Sequence, residues 1–591
     1  MNGELVSRLD PRLVSLLKLL VDHRGELVSK EVILETVWAE TTVAKDTVAV
    51  AIYELRKAFG DDARQPRYLE TVPKRGYRLI AKVEALEPAD PLESQERPHR
   101  PVRFVSWPRL ALLAAVCLLA TAAALRYWPG PVDSDGVVVA VLPFENHSAT
   151  EHDYLATGVA DTLIADLSRV SGVSVLAHRS SRELATSDAS ALARLGVTHV
   201  VTGSVIRHEA RLRVNVGLSR RGRTTYDWSD TYEGPVAELL SLQRQVAISI
   251  ATALDHELNP NLVSEAREVP PAAMQAYLLG RHFWNQRDPE SVRKSVRFFD
   301  EALEADPSFA RAWAGLADAH TFPGPSHLEL TLEEGYRRAL AAAIEARRLE
   351  PDLAEAYISS GAVRFVYEWD VETAETDFER ALRLAPSSAL AHQWYGELLS
   401  ATGRHDRAVA HMREARRLDP RSVAILFDLF WVQYMADDLP SAVDTLDRTI
   451  ELSEAIDELD PTLFWSKAHT LARLDRMDAA LDSLAQFYES TGAEPPDAVR
   501  ALEADPSLPS FRRFRIEALQ DLADNGQTYP LSLAGAYADA GMTREALHWL
   551  ERAAEQRDGA ILWIAVDPNL ESLHQEQRFQ ELVAQIGVSG I

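Results

Sequence analysis

Apolar residues recur at helical spacing in three places near the N-terminus. Leu13, Leu16, Leu17 and Leu20 form one stripe over Pro11–His23. Val32, Ile33, Val37 and Trp38 recur over Lys30–Ala39, behind Ser29 as the expected N-cap. A third stripe, Val48, Ile52, Leu55 and Phe59, runs at i, i+4, i+7 and i+11 and ends at Gly60-Asp61-Asp62. The period then changes to that of strands. Tyr68–Val72 and Tyr77–Val83 flank Pro73-Lys74-Arg75-Gly76, which predicts a hairpin with a basic tip. Two short helices, a third amphipathic helix and such a hairpin predict a winged helix-turn-helix over residues 1–86. Only about Glu4–Leu9 remains for a strand ahead of the first helix.

The next strong pattern is an uncharged run, Leu110–Leu125, bracketed by Arg109 and Arg126 with Trp107, Tyr127 and Trp128 beside them. With its aromatic ends counted and the arginines reaching outward, Trp107–Trp128 has about the 20 residues a transmembrane helix needs. Arg97, Arg100, Arg103 and Arg109 precede it, and Asp133 and Asp135 follow. That asymmetry predicts a single membrane span with the N-terminus in the cytoplasm and the larger C-terminal part outside. Residues 87–106, rich in Pro, Glu, Ser and Arg, read as a linker.

Residues 136–258 alternate strand-like and helix-like patterns, which predicts a small α/β domain. Val137–Leu142, Val173–Leu176, Val200–Arg207, Arg211–Leu218 and Thr225–Tyr232 are the expected strands. Asp153–Val170, Ala189–Leu195 and Pro235–Leu254 are the expected helices. From 270 to 591 the period is 34 residues, the length of a tetratricopeptide repeat. Counted from Glu355, Ala362, Ala374, Phe378, Ala381 and Pro386 fall at the small, Ala, bulky, Ala and Pro positions. Counted from Ala389, Gly396, Ala408, Met412, Ala415 and Pro420 do the same. A third unit from Val423 keeps Ala442 and Leu446 but carries Phe430 at the small position. Weaker units begin at Pro461 and Gln527, and Phe299, Ala302 and Pro307 mark an earlier one. An α-helical solenoid displays a concave surface for protein or peptide partners. Trp284, Trp313, Trp394, Trp431 and Trp549 are candidates to line it, with core packing the stronger expectation.

Composition changes this picture only locally. The 591 residues carry a net charge of −27, with 26% charged and 46% hydrophobic residues, as in an ordinary multidomain globular protein. Between Lys45 and Lys82, however, nine basic residues face five acidic ones. Positive charge is thus gathered where a groove reader needs it. The single cysteine, Cys117, excludes intrachain disulfides and cysteine-based metal or redox sites. His147, His152, His178, His199 and His208 lack metal-ligand spacing. Phosphate loops, HExxH, GxSxG and paired CxxC are absent from the sequence, so neither an enzyme nor a cofactor is expected.

The strings SKEVILETVW, DTVAVAIYELRKAFGDD and PRYLETVPKRGYRLIAKV closely resemble the OmpR/PhoB-type DNA-binding domain, in the branch of CadC- and ToxR-like membrane regulators. VAVLPFEN, YLATGVADTLIADLSRVSGVSVLAHRSS and LGVTHVVTGSV resemble the TolB-N/FlgO-like domain. The third helix turns Thr47, Val50, Tyr53, Glu54, Arg56 and Lys57 away from its apolar stripe. The family resemblance implies Thr47, Arg56, Lys74 and Arg75 as phosphate or groove contacts on double-stranded DNA. Glu54 stands where some relatives carry arginine, and a glutamate there accepts from a cytosine amino group. No receiver domain precedes the reader, which implies signalling without a phosphorelay. A domain near neutrality implies modest affinity per copy, with a homodimer on adjacent half-sites as the remedy. The resemblance therefore implies a membrane-anchored transcription regulator, single-pass in a bacterial inner membrane, whose periplasmic C-terminal region, the α/β and repeat arm, senses an external signal or partner. Two alternatives stay open: an envelope interaction scaffold with a vestigial winged helix, and a cytoplasmic regulator whose apolar helix packs in a core.

Overall fold

A computed structural model describes residues 11–25, 28–37, 48, 51–52, 55–56, 59, 61, 67–72 and 75–81. It further describes 136–148, 153–184, 189–209, 211–223, 225–254, 268–286, 288–321, 328, 330–456, 458–524 and 530–588. They divide between two compact units, Met1–Trp128 and Pro129–Ile591.

In the first unit, α1 (Pro11–Asp22) and α2 (Lys30–Val37) precede a hairpin of β1 (Leu69–Val72) and β2 (Gly76–Leu79). Ser29 caps α2 as expected, its Oγ accepting from the Val32 N–H at 3.3 Å. Val48, Ala51, Ile52 and Leu55 are helical and buried between them. Each helix gives one stripe to a shared core, in which Leu16, Leu20, Ile33, Val48, Leu55 and Leu69 are fully enclosed.

The second unit begins with a mixed sheet of β3 (Val137–Val141), β4 (Glu145–Asn146), β5 (Val173–Val175), β6 (His199–His208), β7 (Arg211–Arg220) and β8 (Trp228–Pro235). The strand order is β5-β3-β6-β7-β8, with β4 beside β6. β3 lies parallel to β5 and β6, whereas β6, β7 and β8 are antiparallel. Helices α3 (Asp153–Leu167) and α6 (Leu239–Ala253) share the core on one face. α4 (His178–Leu184) was not anticipated, and α5 (Ala189–Arg194) covers Ala140, Leu176 and Val200 in a separate small cluster.

Helix pairs follow, and their spacing explains the small residues. A Cβ at Gly396 would lie 2.8 Å from the Met412 sulfur, so the bulky side chain of one helix fills the space left on its partner. Ala362, Ala374, Phe378, Ala381, Ala408, Met412 and Ala415 are all fully buried. The pair Ala310–Thr321 and Leu332–Leu349 escaped the periodicity because a longer connection separates its helices.

Successive inter-repeat turns meet successive residues of the α/β part. Arg311 donates to Asp166 at 2.9 Å, and Arg169 donates to the Asp352 carbonyl at 3.3 Å. Ser387 Oγ donates to the Val173 carbonyl at 2.6 Å, and the Ala177 N–H to the Leu418 carbonyl at 2.9 Å. Arg179 reaches both oxygens of Glu458 at 2.8 and 2.6 Å. The main apolar core extends from Val139 to Val588, and the later repeats hold a separate cluster from Val443 to Phe514.

The expected membrane architecture is corrected. Among the described residues no helix is long and apolar enough to cross a membrane. The described architecture is a mostly helical repeat solenoid, carrying the mixed sheet within the same compact unit, and an N-terminal winged-helix region. The inner-membrane, single-pass placement with a periplasmic C-terminal region falls with the span. Residues 87–106, Trp107–Trp128 and the Glu4–Leu9 strand lie outside the described residues.

Candidate nucleic-acid interface

The hairpin is held to the body of the N-terminal domain at three points. Its register pairs Leu69 with Leu79, Glu70 with Arg78, Thr71 with Tyr77 and Val72 with Gly76. Val28, just before α2, exchanges two 2.9 Å backbone hydrogen bonds with Tyr77. That approach requires Gly76. Its φ is +145°, and a Cβ there would lie 2.0 Å from the Val28 carbonyl oxygen.

Arg56 makes the second attachment. Its Nη2 donates to the Leu69 carbonyl at 2.8 Å and to Thr71 Oγ1 at 2.9 Å. The side chain expected to contact phosphate or groove thus ties the third helix to β1. Asp61 makes the third. Its carboxylate accepts from the backbone N–H of Arg67 at 2.6 Å, Tyr68 at 3.2 Å and Leu69 at 2.9 Å. Burial opposes its charge, but these donors and the nearby Arg56 outweigh burial and hold its pKa below the ordinary value.

With the hairpin fixed, Arg75 stands exposed at its turn, where its N–H closes onto the Val72 carbonyl at 3.0 Å. On the strands Arg78 pairs with Glu70 at 3.5 Å. The structure therefore places Arg56 against the hairpin and Arg75 at its tip. Thr47, Val50, Tyr53, Glu54, Lys57 and Lys74 lie outside the described residues. Sequence reasoning missed Val28, Asp61 and Gly76 as the parts that aim the hairpin. A glycine closing a basic turn and an aspartate just past a helix were the available signals.

The repeat face also differs from a bare concave groove. Trp284 is buried, and Trp313, Trp394, Trp431 and Trp549 pack against the core. The segment 557–573 folds back onto the first helices of the middle repeats. Trp563 Nε1 donates to Ser400 Oγ at 3.2 Å, and its ring meets Phe365 and Trp431 edge-on at 6.0 and 6.3 Å. Tyr434 donates to Asn569 Oδ1 at 3.1 Å, and the Arg557 guanidinium lies 4.5 Å from the Trp369 ring centre.

Residues 4–79 match the family model described as "Transcriptional regulatory protein, C terminal". The transcriptional activator CadC of Escherichia coli is 42% identical over 83 residues, which are 14% of this chain and 16% of that protein. The transcriptional regulator HilA of Salmonella typhimurium is 22% identical over 546 residues, 90% of this chain and 89% of that one. A putative adenylate cyclase 3 of Rhizobium meliloti is 33% identical over 187 residues. The match with the cyclase covers 30% of this chain and 32% of that protein. The N-terminal region is thus an OmpR-type DNA-binding domain, homologous to those of transcription regulators.

Proposed function

We propose that this chain is a DNA-binding transcription regulator that reads double-stranded DNA through the helix at 46–59 and the hairpin tip. Its sheet and repeats form an arm that takes up a protein or peptide partner. The observation that carries this reading is the hairpin, pinned to Val28, Arg56 and Asp61 and presenting an exposed Arg75. A basic tip held at a fixed distance from a helix grips phosphate beside the groove that the helix enters. Thr47, Val50, Tyr53, Glu54 and Lys57 are the proposed groove-facing set, and Lys74 and Arg75 the proposed phosphate contacts. Arg56 supports the hairpin, and Glu54 selects a base. Two copies on adjacent half-sites supply the affinity that a nearly neutral domain lacks. The α/β part, TolB-N/FlgO-like in sequence, fastens the arm by its row of contacts with the repeat turns. A partner that approaches Ser400 and Trp431 must displace residues 557–573.

The test is fluorescence anisotropy of the full chain on a selected duplex over a salt series. Arg75→Ala is expected to weaken binding to all sequences alike and to reduce the salt slope by about one. Glu54→Ala should instead change which duplex is preferred. A scaffold with a vestigial winged helix predicts no saturable binding by the parent chain. Affinity and slope unchanged in Arg75→Ala would remove the tip from the interface.

A further inference from the structure

Five arginines gather around one cavity in a chain whose net charge is −27. The cavity, about 520 Å³, lies between α5 and the repeat helices His405–Leu418, Val423–Met435 and Leu439–Ala455. Arg194, Arg413, Arg416, Arg417 and Arg448 line it, and Asp444 is the one carboxylate among its lining residues. Arg417 already has partners, since it donates to Glu414 and, at 2.6 Å, to Ser174 Oγ. Arg413, Arg416 and Arg448 make no ion pair among the described residues. The charge on Arg416 is disfavoured first by burial and then by Arg448 and Arg413, which together lower its pKa from the ordinary value. Like charges held together this way are stabilised by an anion between them.

The neighbouring polar group has the same bias. Gln433 lines the cavity and accepts from Thr445 Oγ1 at 2.7 Å through its side-chain oxygen, which leaves its amide N–H groups to donate. Guanidinium forks match phosphate oxygens two at a time. A volume of this size suits a small molecule. We propose that the cavity binds a nucleotide-sized small molecule bearing two or more phosphate groups, clamped between α5 and the repeats. The site is remote in sequence from the DNA reader and stands whether or not that reading holds.

The experiment is calorimetric titration of the full chain at low salt with inorganic tripolyphosphate and, separately, with a nucleoside triphosphate. Saturable binding of one probe per chain is expected. Arg416→Ala/Arg448→Ala should weaken it about tenfold or more, because each removes charge-assisted hydrogen bonds. That variant should melt no lower than the parent without probe, since it relieves repulsion. Arg413→Ala, which removes a single guanidinium, provides a second and milder test. Arg297→Ala, which breaks a surface pair with Glu301, should leave binding unchanged. Equal affinity for the two probes assigns recognition to the phosphate chain, and tighter nucleotide binding adds the base. The proposal is overturned if neither probe saturates at millimolar concentration, or if the arginine variants bind as the parent does. It is equally overturned if heparin or single-stranded DNA alone loses binding in those variants, which would make the cavity part of a macromolecular surface.

Discussion

At the scale of single residues, geometry assigns roles that residue type does not. Gly76 is the sharpest case, because its φ of +145° and the Val28 oxygen leave no room for a methyl group. Gly76→Ala is expected to cost more than about 2 kcal/mol and to abolish DNA binding with the hairpin. A thermal melt of the N-terminal domain's circular dichroism, alongside anisotropy, checks this; a parent-like melt would remove the strain argument. Arg56 shows why such roles were hidden. Its helix face says only that it points away from Val48 and Leu55, whereas its acceptors Leu69 and Thr71 lie on a strand 13 and 15 residues onward. Burial acts on acids as well. Glu397 and Asp428 share a hydrogen bond between repeats. Burial first, and then Asp428 itself, push Glu397 well above its ordinary value, while burial raises Asp428 to about 6. Unfolded carboxyls titrate near 4. The folded chain therefore holds these protons longer; the share of stability tied to Asp428 is full below pH ~4 and lost as pH rises through about 6. Melting temperature should fall more between pH 5 and pH 7 in the parent than in Asp428→Asn. Parallel profiles would exclude the pair as the cause.

At the scale of elements, what was legible is what is local. The 34-residue period could be read because the partners it predicts, such as Gly396, Ala408 and Met412, lie within one helix pair. Strands β3, β5, β6 and β7 could be read because their apolar runs are bounded by turns. Docking of the α/β part on the repeats could not, because its bonds join residues 124 to 279 positions apart and leave no period. The Arg311–Asp166 pair is the enclosed ion pair among these contacts, at 2.9 Å with 8% and 2% side-chain exposure. Arg311→Met strands a buried carboxylate and is expected to cost about 3–5 kcal/mol, whereas adding Asp166→Asn should restore most of that loss. Urea unfolding of the two variants measures it. If the double variant is no more stable than Arg311→Met, the pair is not what fastens the sheet.

At the scale of the whole second unit, the decisive feature is closure. An open solenoid touches only its neighbours, so its stability is a sum of repeat and nearest-neighbour terms and its ends fray independently. Here residues 557–573 return to repeats more than a hundred positions earlier, through Trp563 with Ser400, Phe365 and Trp431 and through Asn569 with Tyr434. The same contacts join the C-terminal segment to the middle repeats and cover the face around Ser400 and Trp431. Both consequences hinge on Trp563, which is 7% exposed. Trp563→Ala removes a large ring from a packed site, at a cost of about 3–5 kcal/mol. Its effect should not stay local. Hydrogen exchange in the parent is expected to show 530–588 and 354–435 opening together, at one free energy. In Trp563→Ala the C-terminal segment should exchange first, while the middle repeats keep most of their protection and expose the face around Ser400 and Trp431. Uniform loss of protection across the unit would mean that Trp563 contributes to general stability and does not close the array.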